Sequence, residues 1–320
     1  MPFWQIFLGC LDEYIDETIA IYNSISDLDI EAALTVSNAD INRSFNARTL
    51  DVLPDLVKLN VDSRWRQGEP YNHVLNSMAG KSNPNNYWSA GCAAVAMGHI
   101  MAYYEWPLKP PSLIRQSVNI LGLFHQFSGS PKNNFYDPFS NTNKSFSGIT
   151  YDWKSMKSQS QWIYPPASPY TEDDKKNLLQ IGVLMLAIGD KTGMKYTDGD
   201  GSGASWGSVI NGFEAFGYNI GPEKESYDFE RVKNMLKESK PVMMGGSREW
   251  LFESSGHYWI IDGYMSTNTA DYIFCIPGWG EEGVGWYKSG VFDMKAPIKN
   301  PPGTVNPRNL VIKKKTIDIT

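Results

Sequence analysis

The sequence predicts an α+β protein with a helical half followed by an antiparallel sheet half. Apolar positions recur at helical spacing in several segments before about residue 239. Short runs rich in β-branched and aromatic residues follow: Pro241-Val-Met-Met, Tyr258-Trp-Ile-Ile-Asp, Tyr272-Ile-Phe-Cys-Ile and Gly285-Trp-Tyr-Lys. Helices and strands are therefore segregated along the chain instead of alternating, which favours α+β over a parallel α/β sheet.

The helices are delimited by their boundary residues. Residues 92–105 read as a helix stopped by Pro107. Residues 108–150 read as loop-rich, with Pro110, Pro111, Pro131 and Pro138 among many Asn and Ser. Residues 172–190 read as a helix with Thr171 near its N-cap and Asp173-Asp174 in its first turn. Two more helices are expected over 205–217, ending at Gly217, and 229–239, ending before Pro241. Composition changes near Leu53-Pro-Asp-Leu-Val, which divides an N-terminal segment, 1–52, from a second segment, 53–320. Residues 11–45 are acidic, and Leu11, Tyr14, Ile15, Ile19, Ile21 and Tyr22 recur at helix-like spacing. This segment is a pro-segment remnant or a decorating helix pair. Its beginning has two equal readings. Phe7-Leu-Gly-Cys10 resembles the end of a bacterial lipoprotein signal, with Cys10 lipidated, the gene start truncated and the protein exported. The alternative is an ordinary amphipathic N-terminal helix.

Bulk composition narrows the function. With 320 residues, 42% of them hydrophobic, the chain can form a sizeable core without a disulfide or metal staple. A net charge of −6, with Lys313-Lys-Lys315 as the one basic run, speaks against nucleic-acid binding. No segment reaches the length of a transmembrane helix. The three cysteines, Cys10, Cys92 and Cys275, are too few and too odd in number for a disulfide framework, and they leave a candidate reactive thiol.

That thiol is Cys92, in Tyr87-Trp-Ser-Ala-Gly-Cys-Ala-Ala-Val-Ala-Met-Gly-His99. A small-residue turn runs directly into an apolar helical pattern, which puts the sulfur at a helix N-terminus. Unpaired N–H groups and the positive end of the helix dipole favour a thiolate there, and the thiolate is the nucleophile. The plainer reading is a buried cysteine acting as a small hydrophobe. A second candidate lies 165 residues later, His257 in Ser254-Ser-Gly-His-Tyr-Trp-Ile-Ile-Asp-Gly-Tyr264. It is a general base, or else a strand histidine satisfied by a carbonyl. His99 lies about two turns down the helix from Cys92 and is expected to be buried away from the sulfur. His73 and His125 fall in polar stretches read as loops without a partner motif.

Five stretches together resemble the streptopain family of cysteine peptidases, within the papain-like clan. Trp65-Arg-Gln-Gly-Glu-Pro-Tyr-Asn72 matches W-x-Q-x-x-P-Y-N. Ala90-Gly-Cys-Ala-Ala-Val-Ala-Met97, with Met101-Ala-Tyr-Tyr and Trp106-Pro107, matches the G-C-x-A-x-A-M block. Tyr151-Asp-Trp153 matches Y-D-W, and Gly193-Met-Lys-Tyr196 with Gly201-Ser-Gly-Ala204 matches M-x-Y…G-S-G-A. Lys240-Pro-Val and Gly256-His257 through Asp262-Gly-Tyr264 match K-P-V…G-H-x-x-x-x-D-G-Y. The resemblance spans roughly 53–295, and the five blocks occur in the family's order.

The resemblance implies a papain-like fold, with the nucleophile on a central helix of one half and the histidine on the antiparallel sheet of the other. It implies Cys92 as nucleophile, His257 as general base and then acid, and the Gln67 side chain with the Cys92 N–H as the oxyanion hole. Gly201, Ser202, Gly203 and Ala204 are expected to line the substrate cleft, with Gly256 permitting close approach beside the histidine. The implied substrates are proteins or peptides, with the protein's own pro-segment as an inhibitor. The implied context is a secreted or periplasmic bacterial zymogen, and no metal or organic cofactor is called for.

One stretch departs from the pattern. The family run resembling F-x-I-N-W-G-W-G-G is here Phe274-Cys-Ile-Pro-Gly-Trp-Gly-Glu-Glu282, so Pro277 and Gly278 stand in place of Asn-Trp. An asparagine would orient the imidazole by accepting its N–H, and proline can do so only through its carbonyl. Either a carbonyl near Ile276–Gly278 orients His257, or the ring is poorly held. Trp279 is expected to shield the histidine or to be packed in the core. The loop Thr197-Asp-Gly-Asp-Gly-Ser-Gly203 fits part of a calcium loop through Asp198 and Asp200. Val209 stands where the bidentate glutamate belongs, so a calcium site is not expected. The alternatives to a peptidase are an impaired peptide-binding or inhibitor-like relative, and a transferase in which an amine resolves the acyl-enzyme.

Overall fold

The computed structural model describes residues 55–111, 114–158, 168–197, 201–221, 226–250, 253–266, 270–290 and 312–317. Of 247–250, 253–255 and 312–317 it describes the backbone only. The expectations for residues 1–52, Cys10 included, and for Asp198 and Asp200 lie outside the described residues.

Helix α1 (His73–Met78) leads to α2 (Cys92–Tyr104), which is buried from Cys92 to Ala102. Helix α2 is rich in Ala and Gly on all sides, so neighbouring elements approach its backbone closely. It ends where Glu105 adopts φ 52° in the left-handed region, two residues before Pro107. Helix α3 (Trp153–Ser158) is short. Helix α4 (Glu172–Lys191) opens on a capping box. Thr171 Oγ1 accepts the Asp174 N–H at 3.2 Å, and the Asp174 carboxylate accepts the Thr171 N–H at 2.8 Å. Its middle and second half, from Asn177 to Asp190, are buried and pack against α2 and α1. Helices α5 (Trp206–Ala215) and α6 (Phe229–Lys237) start on the side-chain caps Ser205 and Asp228.

The second half of the chain builds the sheet. Strands β6 (Val242–Trp250), β7 (Glu253–Ser266), β8 (Asp271–Ile276), β9 (Gly285–Lys288) and β10 (Ile312–Ile317) are antiparallel in the order β10-β6-β7-β8-β9. The early strand β1 (Asp55–Lys58) pairs with the end of β7. Helix α2 packs across β7, so the helical and sheet halves share one core.

Residues 108–150, expected as loop, instead form two antiparallel hairpins. One pairs β2 (Ile114–Ile120) with β3 (Phe124–Lys132), and the other pairs β4 (Asn134–Asp137) with β5 (Thr142–Ser145). The sequence hides them because they are mostly solvated: Ile114, Phe127, Phe135 and Asp137 are their buried side chains. Few apolar positions are needed, and the Asn, Ser and Pro that mark a loop also suit an exposed ribbon. Segregation of helices from strands therefore holds for β6 to β10 and not for the whole chain. The buried Asp190 carboxylate anchors the first hairpin to α4, accepting from Arg115 Nε at 2.9 Å. His73 and His125 are also not in loops: His73 begins α1, and His125 lies on β3 with its ring 4.6 Å from that of Trp88.

Asp262, inside the G-H-x-x-x-x-D-G-Y block, has a structural role. It sits at a register irregularity of β7 with its side chain fully buried. Its carboxylate pairs with Lys58 Nζ and accepts the Val61 N–H at 3.0 Å, while its carbonyl accepts the Leu59 N–H at 2.7 Å. These bonds pin the chain that runs from β1 toward Trp65 and Gln67 onto the histidine strand. Burial pulls the Lys58 pKa down and pushes the Asp262 pKa up, and their mutual attraction opposes both shifts. Among the described residues, no helix is long and apolar enough to cross a membrane.

Candidate active site

Gly91 precedes α2 with φ +89°, a conformation that favours glycine. A Cβ there would also stand 3.0 Å from the Met194 side chain and 3.3 Å from the Ser202 carbonyl oxygen. The turn therefore delivers Cys92 as the first helical residue, with the Gly-rich 201–204 segment directly beside it. The sulfur is enclosed, since Cys92 is 8% exposed. The backbone N–H groups of Cys92, Ala93 and Tyr258 point at it and favour the thiolate, but burial outweighs them and pushes the Cys92 pKa up. Burial thus opposes the thiolate that the helix N-terminus alone favours. Desolvation of a nearly enclosed sulfur costs more than three N–H dipoles return.

The Tyr258 N–H at the sulfur brings the neighbouring residue of β7, His257, to the same place, and Cys92 and His257 line one cleft. His257 Nε2 lies 2.8 Å from the Pro277 carbonyl oxygen. A carbonyl can only accept, so Nε2 carries the proton, and in the neutral ring Nδ1 is the unprotonated nitrogen. The Pro-Gly replacement of Asn-Trp thus leaves the imidazole with an orienting acceptor, supplied by the main chain. Burial pulls the His257 pKa down to about 4, with the Pro277 carbonyl opposing the shift. Two indoles neighbour the ring: Trp279, tilted, at 4.8 Å between centroids, and Trp259, stacked, at 6.2 Å. Trp279 is half-buried against His257 and is not part of the closed core.

The turn carrying Pro277 is fixed from two sides. Gly278 has φ +84°, and a Cβ there would stand 2.9 Å from Val95 Cγ1 of α2. Trp279 forms a backbone bridge with Arg66, the residue before Gln67, and the Gly280 N–H donates to the Trp65 carbonyl at 3.4 Å. The histidine-orienting turn and the Gln67 segment are therefore one hydrogen-bonded unit.

Gln67 is oriented by a residue to which the sequence assigned no role. The Ser89 hydroxyl accepts the Gly91 N–H at 3.1 Å and donates to Gln67 Oε1 at 3.1 Å. The amide oxygen is thereby engaged, and the two Nε2–H donors remain for another acceptor. The main chain adds a further tie, the Ala90 N–H on the Gln67 carbonyl at 2.8 Å. The only available signal was Ser89's place two residues before Gly91, in the run that presents the cysteine.

Gly201, Ser202, Gly203, Ala204 and Gly256 line the same cleft as Cys92 and His257, a cavity of about 910 Å³. The Gly203 segment is held by paired backbone bonds to Lys195, at 2.9 and 3.0 Å. Ser202 Oγ is buried without a hydrogen-bond partner among the described residues. A second cavity of about 430 Å³ is lined by Gln67, Ser89 and Trp279 together with Glu69, Asn72 and Tyr87. His99 is fully buried with Nδ1 2.6 Å from Ser63 Oγ, and burial pulls its pKa down to about 3. It packs against Trp65 and takes no part in the cleft.

A sequence profile of the peptidase C10 family matches residues 65–287. Streptopain of Streptococcus pyogenes is 25% identical over 266 residues, covering 78% of this chain and 60% of streptopain. The thiol protease/hemagglutinin PrtT of Porphyromonas gingivalis is 26% identical over 229 residues, covering 68% of this chain and 22% of PrtT. The chain thus spans less than two thirds of the length of streptopain and less than a quarter of that of PrtT. Among solved structures, active wild-type interpain A cysteine protease of Prevotella intermedia superposes with a TM-score of 0.57 at 20% identity, covering 82% of this chain and 94% of that one. A prointerpain A fragment superposes with a TM-score of 0.52 at 21% identity, covering 87% and 79%. These superpositions establish the fold: a papain-like arrangement of helices against an antiparallel sheet.

Proposed function

The chain belongs to the peptidase C10 family, and from that premise we propose that it is a cysteine endopeptidase acting through Cys92 and His257. The observation that carries the reading is the Nε2–H···O=C bond from His257 to Pro277, beside a thiol that meets the Tyr258 N–H. With Nε2 as donor, Nδ1 is the base, and it needs no rearrangement to receive the thiol proton. Cys92 Sγ attacks the scissile carbonyl carbon as its proton passes to Nδ1. The Gln67 Nε2–H and the Cys92 N–H donate to the oxyanion. The tetrahedral intermediate collapses, the C–N bond breaks, and the imidazolium returns the proton to the departing amine nitrogen. Water, deprotonated by Nδ1, then hydrolyses the thioester and restores the thiol.

An extended protein or peptide substrate lies along the 201–204 segment, where the backbone offers hydrogen bonds. Trp279 keeps water from the imidazole–carbonyl bond. Similarity to the prointerpain fragment supports reading 1–52 as part of a pro-segment, and the Cys10 context supports an exported, surface-held protein.

The test is incubation with a quenched-fluorescent peptide pool alongside titration with an epoxysuccinyl inhibitor, read by mass spectrometry. The expected result is hydrolysis that falls in proportion to a single adduct on Cys92, with Cys275 unmodified. Hydrolysis that persists after complete Cys92 modification, or no hydrolysis by the full chain or by the chain trimmed of residues 1–52, contradicts the reading.

A further inference from the structure

We infer that the cavity between Glu69 and Trp279 receives the part of the substrate beyond the scissile bond and selects a basic side chain there. This rests on the peptidase reading above. The leaving nitrogen takes its proton from His257, so the departing segment must pass beside that ring. The indole nearest the His257 ring is Trp279, tilted against it at 4.8 Å between centroids, and the same residue walls the cavity that also contains Gln67, Ser89 and Glu69. The acyl side is accounted for by the other cleft, along 201–204. The two cavities thus flank the thiol–imidazole pair, with Gln67 on the leaving side.

Glu69 brings the charge. Its backbone is fixed by Arg66 Nε, which donates to the Glu69 carbonyl oxygen at 2.9 Å and so engages the main chain. One carboxylate oxygen accepts from His73 Nε2 at 3.0 Å, and the other has no partner among the described residues. His73 does not cancel the charge, because burial pulls its pKa below the ordinary histidine value and it is neutral at pH 7. No lysine or arginine pairs with the Glu69 carboxylate among the described residues. Its field is felt across the cavity: Tyr87, on the lining, has its pKa raised by burial first and by the Glu69 charge second. The Glu69 side chain is 23% exposed, a site where a cation gains attraction without losing all of its hydration. Glu69 falls at an unspecified position of W-x-Q-x-x-P-Y-N, so the pattern itself assigns it no role.

The test uses peptides identical on the acyl side, carrying Lys, norleucine or Glu at the first two positions after the cut. The kcat/KM of each is compared for wild type, Glu69→Gln and Glu69→Lys. Wild type should prefer Lys over Glu by roughly tenfold, the size of a half-exposed charge pairing, and lose part of that preference in high salt. Glu69→Gln should bring the ratio toward one, and Glu69→Lys should invert it. Because each ratio comes from one preparation, losses in folding or overall activity cancel. A wild-type ratio near one, or a ratio unchanged in Glu69→Gln, overturns the inference. An aminomethylcoumarin peptide, with no residue after the cut, separates the two claims. If wild type cleaves it and the ratio is flat, the peptidase reading stands and the inference falls. If no substrate is cleaved, both fall.

Discussion

Cys92→Ala and His257→Ala should each lower kcat/KM by at least about 10⁴-fold, and the double variant should be no slower than the slower single variant. Nucleophile and base act in one step, so removing either leaves the other without a reaction to assist. Steady-state hydrolysis of a quenched peptide measures both, with circular dichroism confirming that the fold is retained. A contrast isolates the unusual part of the site. Pro277→Ala should retain activity within about tenfold, since the acceptor for His257 Nε2 is the main-chain carbonyl and survives the change. Gly278→Val should cost more. It forces a branched residue into φ +84° against Val95 and displaces that carbonyl. If Pro277→Ala were as damaging as His257→Ala, the carbonyl would not be the orienting group.

Gln67→Ala should lower kcat by about 100- to 1000-fold with little change in KM, the signature of a donor whose bond strengthens as the oxyanion forms. Gln67→Glu should be at least as damaging, because it replaces a donor with a negative acceptor facing developing negative charge. Ser89→Ala should show a smaller loss in the same parameter, since it frees the Gln67 amide to rotate without removing it. A rise in KM at constant kcat for Gln67→Ala would instead make it a ground-state binding residue.

Much of this site was legible in the sequence because it depends on short local patterns. A glycine immediately before the cysteine, followed by an unbroken small-residue helix, dictates a buried helix N-terminus, and the structure has one at Cys92. The aromatic and β-branched run Tyr258-Trp-Ile-Ile261 directly after Gly256-His257 reads as a strand, and β7 carries it. What the sequence left open or hid depends on the main chain or on solvated elements. For His257 it offered two alternatives, a carbonyl near Ile276–Gly278 or a poorly held ring, and only the fold decides where a carbonyl points. The resting charge state of Cys92 depends on how completely the sheet covers it, which a helix-terminus argument does not contain. The hairpins over 114–145 were missed because a mostly solvated ribbon needs few apolar residues. Ser89 and Asp262 act through distant partners, Gln67 at 22 residues and Lys58 at 204, and no local spacing encodes such pairs.

The proposed pair is a neutral thiol and a neutral imidazole, with His257 Nδ1 as the standing base. Its most direct test is the rate of Cys92 alkylation against pH, in wild type and in His257→Ala. Thiol plus neutral imidazole and thiolate plus imidazolium hold the same number of protons. The reactive fraction is therefore constant with pH until the imidazole itself is protonated. With the His257 pKa pulled down to about 4, wild type should gain reactivity as pH rises through about 4 and hold a plateau through neutrality. His257→Ala should react only as pH climbs past the ordinary thiol range, because burial pushes the Cys92 pKa up. Two superimposable profiles, both rising only in the alkaline range, would show that His257 does not activate Cys92 and would contradict the account.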